Sequence, residues 1–222
     1  NLSEYLKSNL NVATRDAAPY ISLFWASLMI GRWTSSAGSF NVSDGWKKAL
    51  RLLLPLAAFG VYLAVNTKAG YQVDGFYPYV GMIAILVLMD FLSKGNPARQ
   101  LLIYSLCGMV ALMVGIFSGG KLAAMAFVSV GLFCSTLWPC IFTLGIAGLG
   151  SKMPKASNYL IMMIMGGGII SWLQGFVSDS IGIQNSYMVG VLCFVYLAFY
   201  AWKVSGILRN QGIDFDKKII TA

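Results

Sequence analysis

The stretch Gly131–Gly150, GLFCSTLWPCIFTLGIAGLG, constrains this chain more than any other. It is an almost unbroken apolar run with a proline, Pro139, in its middle. Ser135, Thr136 and Thr143 lie within two turns of that proline, and Trp138 stands directly before it. In lipid, every backbone polar group needs an internal partner. A helix broken at bilayer depth is therefore tolerated only against protein or beside a water-filled cavity. The stretch points to a site inside a membrane.

The rest of the sequence agrees. It is 58% hydrophobic and 11% charged, against roughly 25% charged in an ordinary globular protein. Seven apolar spans are predicted, over residues 19–39, 48–66, 76–92, 100–117, 121–149, 158–177 and 186–208. At about 1.5 Å per residue such spans cross a hydrocarbon core of roughly 30 Å with varying tilt. The expected fold is an all-α, polytopic membrane helix bundle of about seven helices. Residues 1–18 form a polar, extracytoplasmic segment and residues 19–222 the bundle.

The net charge of +8 sits in the short loops, where it holds membrane topology rather than a nucleic-acid surface. Loops on the side of residue 1 carry Lys7, Arg15, Lys68 and Lys121; those on the other side carry the remaining twelve of the 16 basic residues. The bias puts the C-terminus in the cytoplasm. The chain then starts outside with no span before it, which leads to the expectation of further helices upstream. His is absent, and Cys107, Cys134, Cys140 and Cys193 form no CxxC pair, so neither a metal nor a cofactor is expected.

No set of acids, no His and no nucleophile–base pair is arranged for catalysis, so an enzyme is not expected. Asp90 is the one acid within a span. Its expected partner is Lys94, four residues on along the helix. Arg32, after Gly31, is either a snorkelling anchor or a gate residue. Gly166, Gly167 and Gly168 either permit close packing or bend a moving helix. Asn158, Met162, Met165, Ile169 and Trp172 share one helical face, as do Gly131, Cys134, Ser135, Trp138 and Phe142. Trp138 with Ser135 offers an aromatic face and a hydroxyl, the two contacts a sugar needs. The bland alternative is that Trp138 packs beside the proline kink.

Three blocks carry a resemblance: SLFWASLMIGRW (Ser22–Trp33), GLFCSTLWPCIFTLGIAGLG, and MMIMGGGIISWLQGFVSDSIG (Met162–Gly182). Together they resemble the L-fucose permease-like, fucose–galactose–glucose:proton symporter branch of the major facilitator superfamily. The resemblance makes them the eighth, tenth and eleventh helices of a two-half transporter. The chain is then the C-terminal half, in a bacterial inner membrane, and its partners are a sugar, a proton, the lipid bilayer and an N-terminal half. On that basis Trp138, Ser135, Asn158, Met162 and Trp25 are expected to face substrate. Gly31 and Arg32 act at the inner gate, Pro139 and Gly166–Gly168 shape moving helices, and Asp179 orders the outer turn before the last span.

Three departures limit the carry-over. Residues 40–96 add a helical hairpin where the family has a short loop, and its expected place is the periphery. Trp138 replaces a smaller aromatic, which leaves the sugar open. The family's proton-coupling carboxylates lie in the other half. A rival expectation is a non-transporting membrane sensor or structural subunit that retains a transporter-like half.

Overall fold

The computed structural model describes residues 2–36 and 43–215. The ends of the first predicted span (37–39), the start of the hairpin segment (40–42) and the last seven residues of the bundle lie outside the described residues. Eleven α-helices follow one another with no strand among the described residues: α1 (Leu2–Leu10), α2 (Thr14–Ser36), α3 (Asp44–Lys68), α4 (Tyr79–Ser93), α5 (Pro97–Phe117), α6 (Gly120–Cys134), α7 (Leu137–Ile146), α8 (Met153–Met162), α9 (Gly166–Ile181), α10 (Ile183–Ser186) and α11 (Met188–Asn210). The protein is a polytopic helical membrane bundle.

The described part of each predicted span falls mainly on helix, with informative differences. Six helical stretches among the described residues are long and apolar enough to cross a bilayer. The predicted first span, α2, is absent from those six although it runs for 23 residues. It carries Arg15, Asp16 and Arg32, which are exposed, and several hydroxyls, of which Ser27 and Thr34 are fully buried. It also begins five residues before Pro19, so that proline sits inside the helix instead of opening it. The start of α5 follows local rules. Asn96 caps it, its side-chain oxygen accepting from the backbone N–H groups of Ala98 and Arg99 at 3.0 and 3.2 Å, with Pro97 in the first turn.

The core lies where α2, α4, α5 and α6 meet. Leu23, Ile30, Ile83, Leu86, Leu101, Tyr104, Val128, Leu132 and Phe133 are all essentially without exposure there. α5 also packs along α11, where Gly108 lets the Phe194 ring lie against the helix backbone. The hairpin segment is not uniformly peripheral. α3 turns Leu52, Leu53, Val61 and Val65 outward. α4 belongs to the core, and the Tyr79 hydroxyl fixes it there, 2.6 Å from Ser27 Oγ and 3.5 Å from the Val128 carbonyl. A long apolar helix reads the same facing lipid or protein; the periphery expected from the sequence fails for α4, while α3 sets Phe59 and Tyr62 into the core and exposes its other face.

Candidate functional site

The helix break precedes the proline. α6 ends at Cys134, Ser135 and Thr136 are non-helical, and Pro139 is the third residue of α7. Proline has no N–H, and its ring excludes a helical carbonyl four residues back. That carbonyl belongs to Ser135. Freed from the helix, it accepts from Arg32 Nε at 3.2 Å. The Ser135 hydroxyl donates to the Leu132 carbonyl at 2.6 Å. Cys140 N–H then donates to the Thr136 carbonyl at 3.1 Å and starts α7. The Ser135 carbonyl and hydroxyl are thus met by protein, as a membrane requires, whereas the Thr136 hydroxyl is buried at the break with no hydrogen-bond partner.

Two glycines allow this. A Cβ on Gly31 would collide with the Ser135 side chain and come within 3.0 Å of the Leu132 carbonyl. A Cβ on Gly131 would come within 2.7 Å of the Phe24 carbonyl. α2 and α6 therefore approach with backbone nearly on backbone, the small-residue seam of helices in lipid. Along α2, Trp25, Met29 and Arg32 follow i, i+4 and i+7 and form one exposed flank. Arg32 joins that flank to the break. Trp138, three residues beyond Ser135, is 36% exposed, with its ring 6.3 Å from that of Phe142.

The single face predicted for Gly131, Ser135, Trp138 and Phe142 is divided by the break. Gly131 and Ser135 are buried against α2, whereas Trp138 opens outward. In this conformation the Ser135 hydroxyl is turned inward and engaged. The structure brings Gly31, Arg32, Ser135, Trp138 and Pro139 together, with Trp25 two turns along α2.

The remaining predicted residues lie on the α8–α9 span. Asn158 and Met162 are exposed, and Met165 and Trp172 are 73% and 71% exposed. A 3-10 turn over Met163–Met165 separates the two helices. A Cβ at Gly166, Gly167 or Gly168 would meet nothing within 4 Å. Asp179 is exposed. The turn after it is closed by Gly182 N–H on the Ser178 carbonyl at 2.9 Å, with Gly182 at φ +87°. Leu160 against Gly145 connects this span to α7.

A buried polar network was missed. Asp90 is 3% exposed and pairs with Arg51, not Lys94: Arg51 Nε lies 3.5 Å from Asp90 Oδ2. Lys94 takes a left-handed conformation, φ 52°, and ends α4, so it leaves the helical register that would set it beside Asp90. Ser35 Oγ donates to Asp90 Oδ1 at 3.1 Å, and Gln100 Nε2 reaches Asp90 Oδ1 at 3.3 Å and Ser35 Oγ at 2.8 Å. Cys140 Sγ donates to Gln100 Oε1 at 3.5 Å. The network ties α2, α3, α4, α5 and α7 together at the end of the bundle that holds Arg32. One signal could have found it: Arg51 and Asp90 are opposite charges near the same end of two consecutive antiparallel spans.

Comparison with known proteins bears on this geometry. No protein-family model matches the chain, and no solved structure matches it. Curated proteins do. Over 185 residues the chain is 27% identical to a glucose/galactose transporter of Brucella abortus, covering 83% of this chain and 32% of that protein. Over 146 residues it is 35% identical to a putative glucose/galactose transporter of Helicobacter pylori, covering 64% and 35%. Over 111 residues it is 34% identical to the L-fucose-proton symporter of Escherichia coli, covering 50% and 25%. The chain spans about a third of the length of the curated relatives it matches, and these are transporters, not enzymes.

Proposed function

We propose that this chain, a homologue of sugar transporters of the L-fucose permease-like major facilitator branch, is the C-terminal half of a proton-coupled hexose or 6-deoxyhexose symporter. The observation that carries the proposal is Trp138, open at a helix break whose carbonyl is held by Arg32, in a chain with these relatives. An aromatic face near the exposed guanidinium of Arg32 suits the C–H face and hydroxyls of a sugar. The relatives' names favour transport over a sensor or a structural subunit.

The mechanism is alternating access, in which two bundles rock about a midplane site. In this reading Trp138 and Trp25 meet the sugar from α7 and α2, and Asn158 and Met162 from α8. The Ser135 hydroxyl joins them when the seam under Gly31 loosens. Arg32 is the inner-gate residue: it holds the Ser135 carbonyl in this conformation and releases it in another. Pro139 keeps that carbonyl free of helical partners. Gly166–Gly168 supply the bend of the outlying span, and Asp179 its outer turn. The proton carrier belongs to an N-terminal half, the protein sits in a bacterial inner membrane, and the charge bias puts the C-terminus in the cytoplasm.

The test is uptake by the full-length protein in proteoliposomes over a panel of hexoses, with and without a pH gradient. Accumulation driven by the gradient is expected. Trp138→Ala should reduce apparent affinity at least about tenfold, the loss of one stacking contact of about 1.4 kcal/mol. Unchanged affinity would remove Trp138 from the site, and gradient-independent uptake would remove symport.

A further inference from the structure

Two cavities adjoin at the end of the bundle opposite the Asp90 network. One, of about 470 Å³, is polar, and Arg15, Asp16, Tyr20, Gln72, Asp74 and Lys121 help to line it. The other, of about 860 Å³, is an apolar groove between α4, α5 and α6, with Met82, Ile85, Val110, Val114, Met125 and Phe133 among its walls. Gly75 and Lys121 line both, so the polar cavity opens into the groove. Along α6 the groove wall runs from Leu122 to Phe133, about 16 Å at 1.5 Å per residue. That is the depth of one leaflet of a core of roughly 30 Å. Leu106, Val110 and Leu122 on its rim are exposed, so within this chain it is open along its side.

The charges at the mouth are balanced, two cations and two anions. Among the described residues none of the four is in an ion pair. A phosphate and an ammonium on one headgroup would satisfy both signs. A purely anionic headgroup would leave Asp16 and Asp74 repelled, and a quaternary amine has no N–H to donate to them. We propose that the two cavities together seat one zwitterionic, primary-amine phospholipid, a phosphatidylethanolamine. Its phosphate meets Arg15 and Lys121, its ammonium meets Asp16 and Asp74, and one acyl chain fills the groove. The orientation proposed above makes this an outer-leaflet lipid; the lipid class stands in either orientation.

Cys107 lines the groove and reports its occupancy. The full-length protein is delipidated in detergent, supplied with phosphatidylethanolamine, phosphatidylcholine or phosphatidylglycerol, and treated with a lipid-soluble maleimide. Labelling of Cys107 is then followed by peptide mass spectrometry. Phosphatidylethanolamine at ten times its dissociation constant should slow labelling about tenfold, and the other two lipids much less. Asp74→Asn should weaken protection by phosphatidylethanolamine and spare that by phosphatidylglycerol; Lys121→Ala should weaken both. Both side chains are exposed, so neither change threatens folding. Equal protection by all three lipids would overturn the headgroup assignment. Fast labelling throughout would mean an empty groove, and slow labelling without lipid would mean a groove filled by another part of the protein; either overturns the proposal.

Discussion

The α6–α7 and α8–α9 spans are each interrupted near their middle, yet they solve the interruption in opposite ways. In the first, 61% of the most apolar stretch is buried within the chain; in the second, none is. The α6–α7 break strands a carbonyl, at Ser135, and a neighbouring helix must supply Arg32 to satisfy it. The α8–α9 interruption draws on no neighbouring helix for the bonds of its cap N–H groups. Its 3-10 turn keeps its hydrogen bonds local, Met163 N–H reaching the Tyr159 and Ile161 carbonyls and Gly166 N–H those of Met163 and Ile164. An irregularity that needs an outside partner has to be packed, and one that satisfies itself can stay exposed. The same pair of residue types, glycine and tryptophan, therefore has different meanings in the two spans.

Substitutions should separate them, beginning with the largest effect. Gly131→Val pushes side-chain atoms toward the Phe24 carbonyl, which is backbone and cannot step aside. Its cost should exceed the roughly 1–3 kcal/mol typical of overpacking, and thermal unfolding monitored by size-exclusion fluorescence in detergent should find little folded protein. A stable Gly131→Val protein would show that the α2–α6 seam is not tight. Asp90→Ala comes next. It leaves Arg51 without its partner, and the loss should fall at or below the low end of roughly 3–5 kcal/mol, because the Arg51 side chain is 21% exposed. The double change Asp90→Leu with Arg51→Met should recover most of that loss; no recovery would assign the effect to packing instead of charge. Arg32→Met removes the donor from the Ser135 carbonyl and should cost about 1–3 kcal/mol, together with a change in uptake. An unaltered melting temperature would mean that water replaces the guanidinium at the break.

The smallest effect has the opposite sign. Gly166→Ala, Gly167→Ala and Gly168→Ala have open space for their methyl groups, so each should stabilise the helix by about 0.5–1 kcal/mol. If the bend of this span matters for transport, uptake should fall while stability rises. Lowered stability would reveal that another surface packs tightly on these glycines in the complete protein.

The sequence by itself determined the membrane class, the order of the spans and the neighbourhood of the α6–α7 break, because the composition of long apolar runs and the chemistry of proline are local properties. It pointed to Gly31, Arg32, Ser135 and Trp138, which the fold gathers at one seam. Other features were decided only by tertiary structure. The break at Ser135–Thr136 follows locally from Pro139, but the packing of α2 decides that Arg32 is the partner of the freed carbonyl. α4 enters the core and α3 touches it along one face only, although both read as apolar spans. Asp90 passes over the nearby Lys94 for Arg51, which lies on another helix. The reason is the same in each case: inside a bilayer an apolar residue suits lipid and protein equally. Periodicity can place a helix across the membrane, but only the neighbours it meets decide which of its faces becomes an interior.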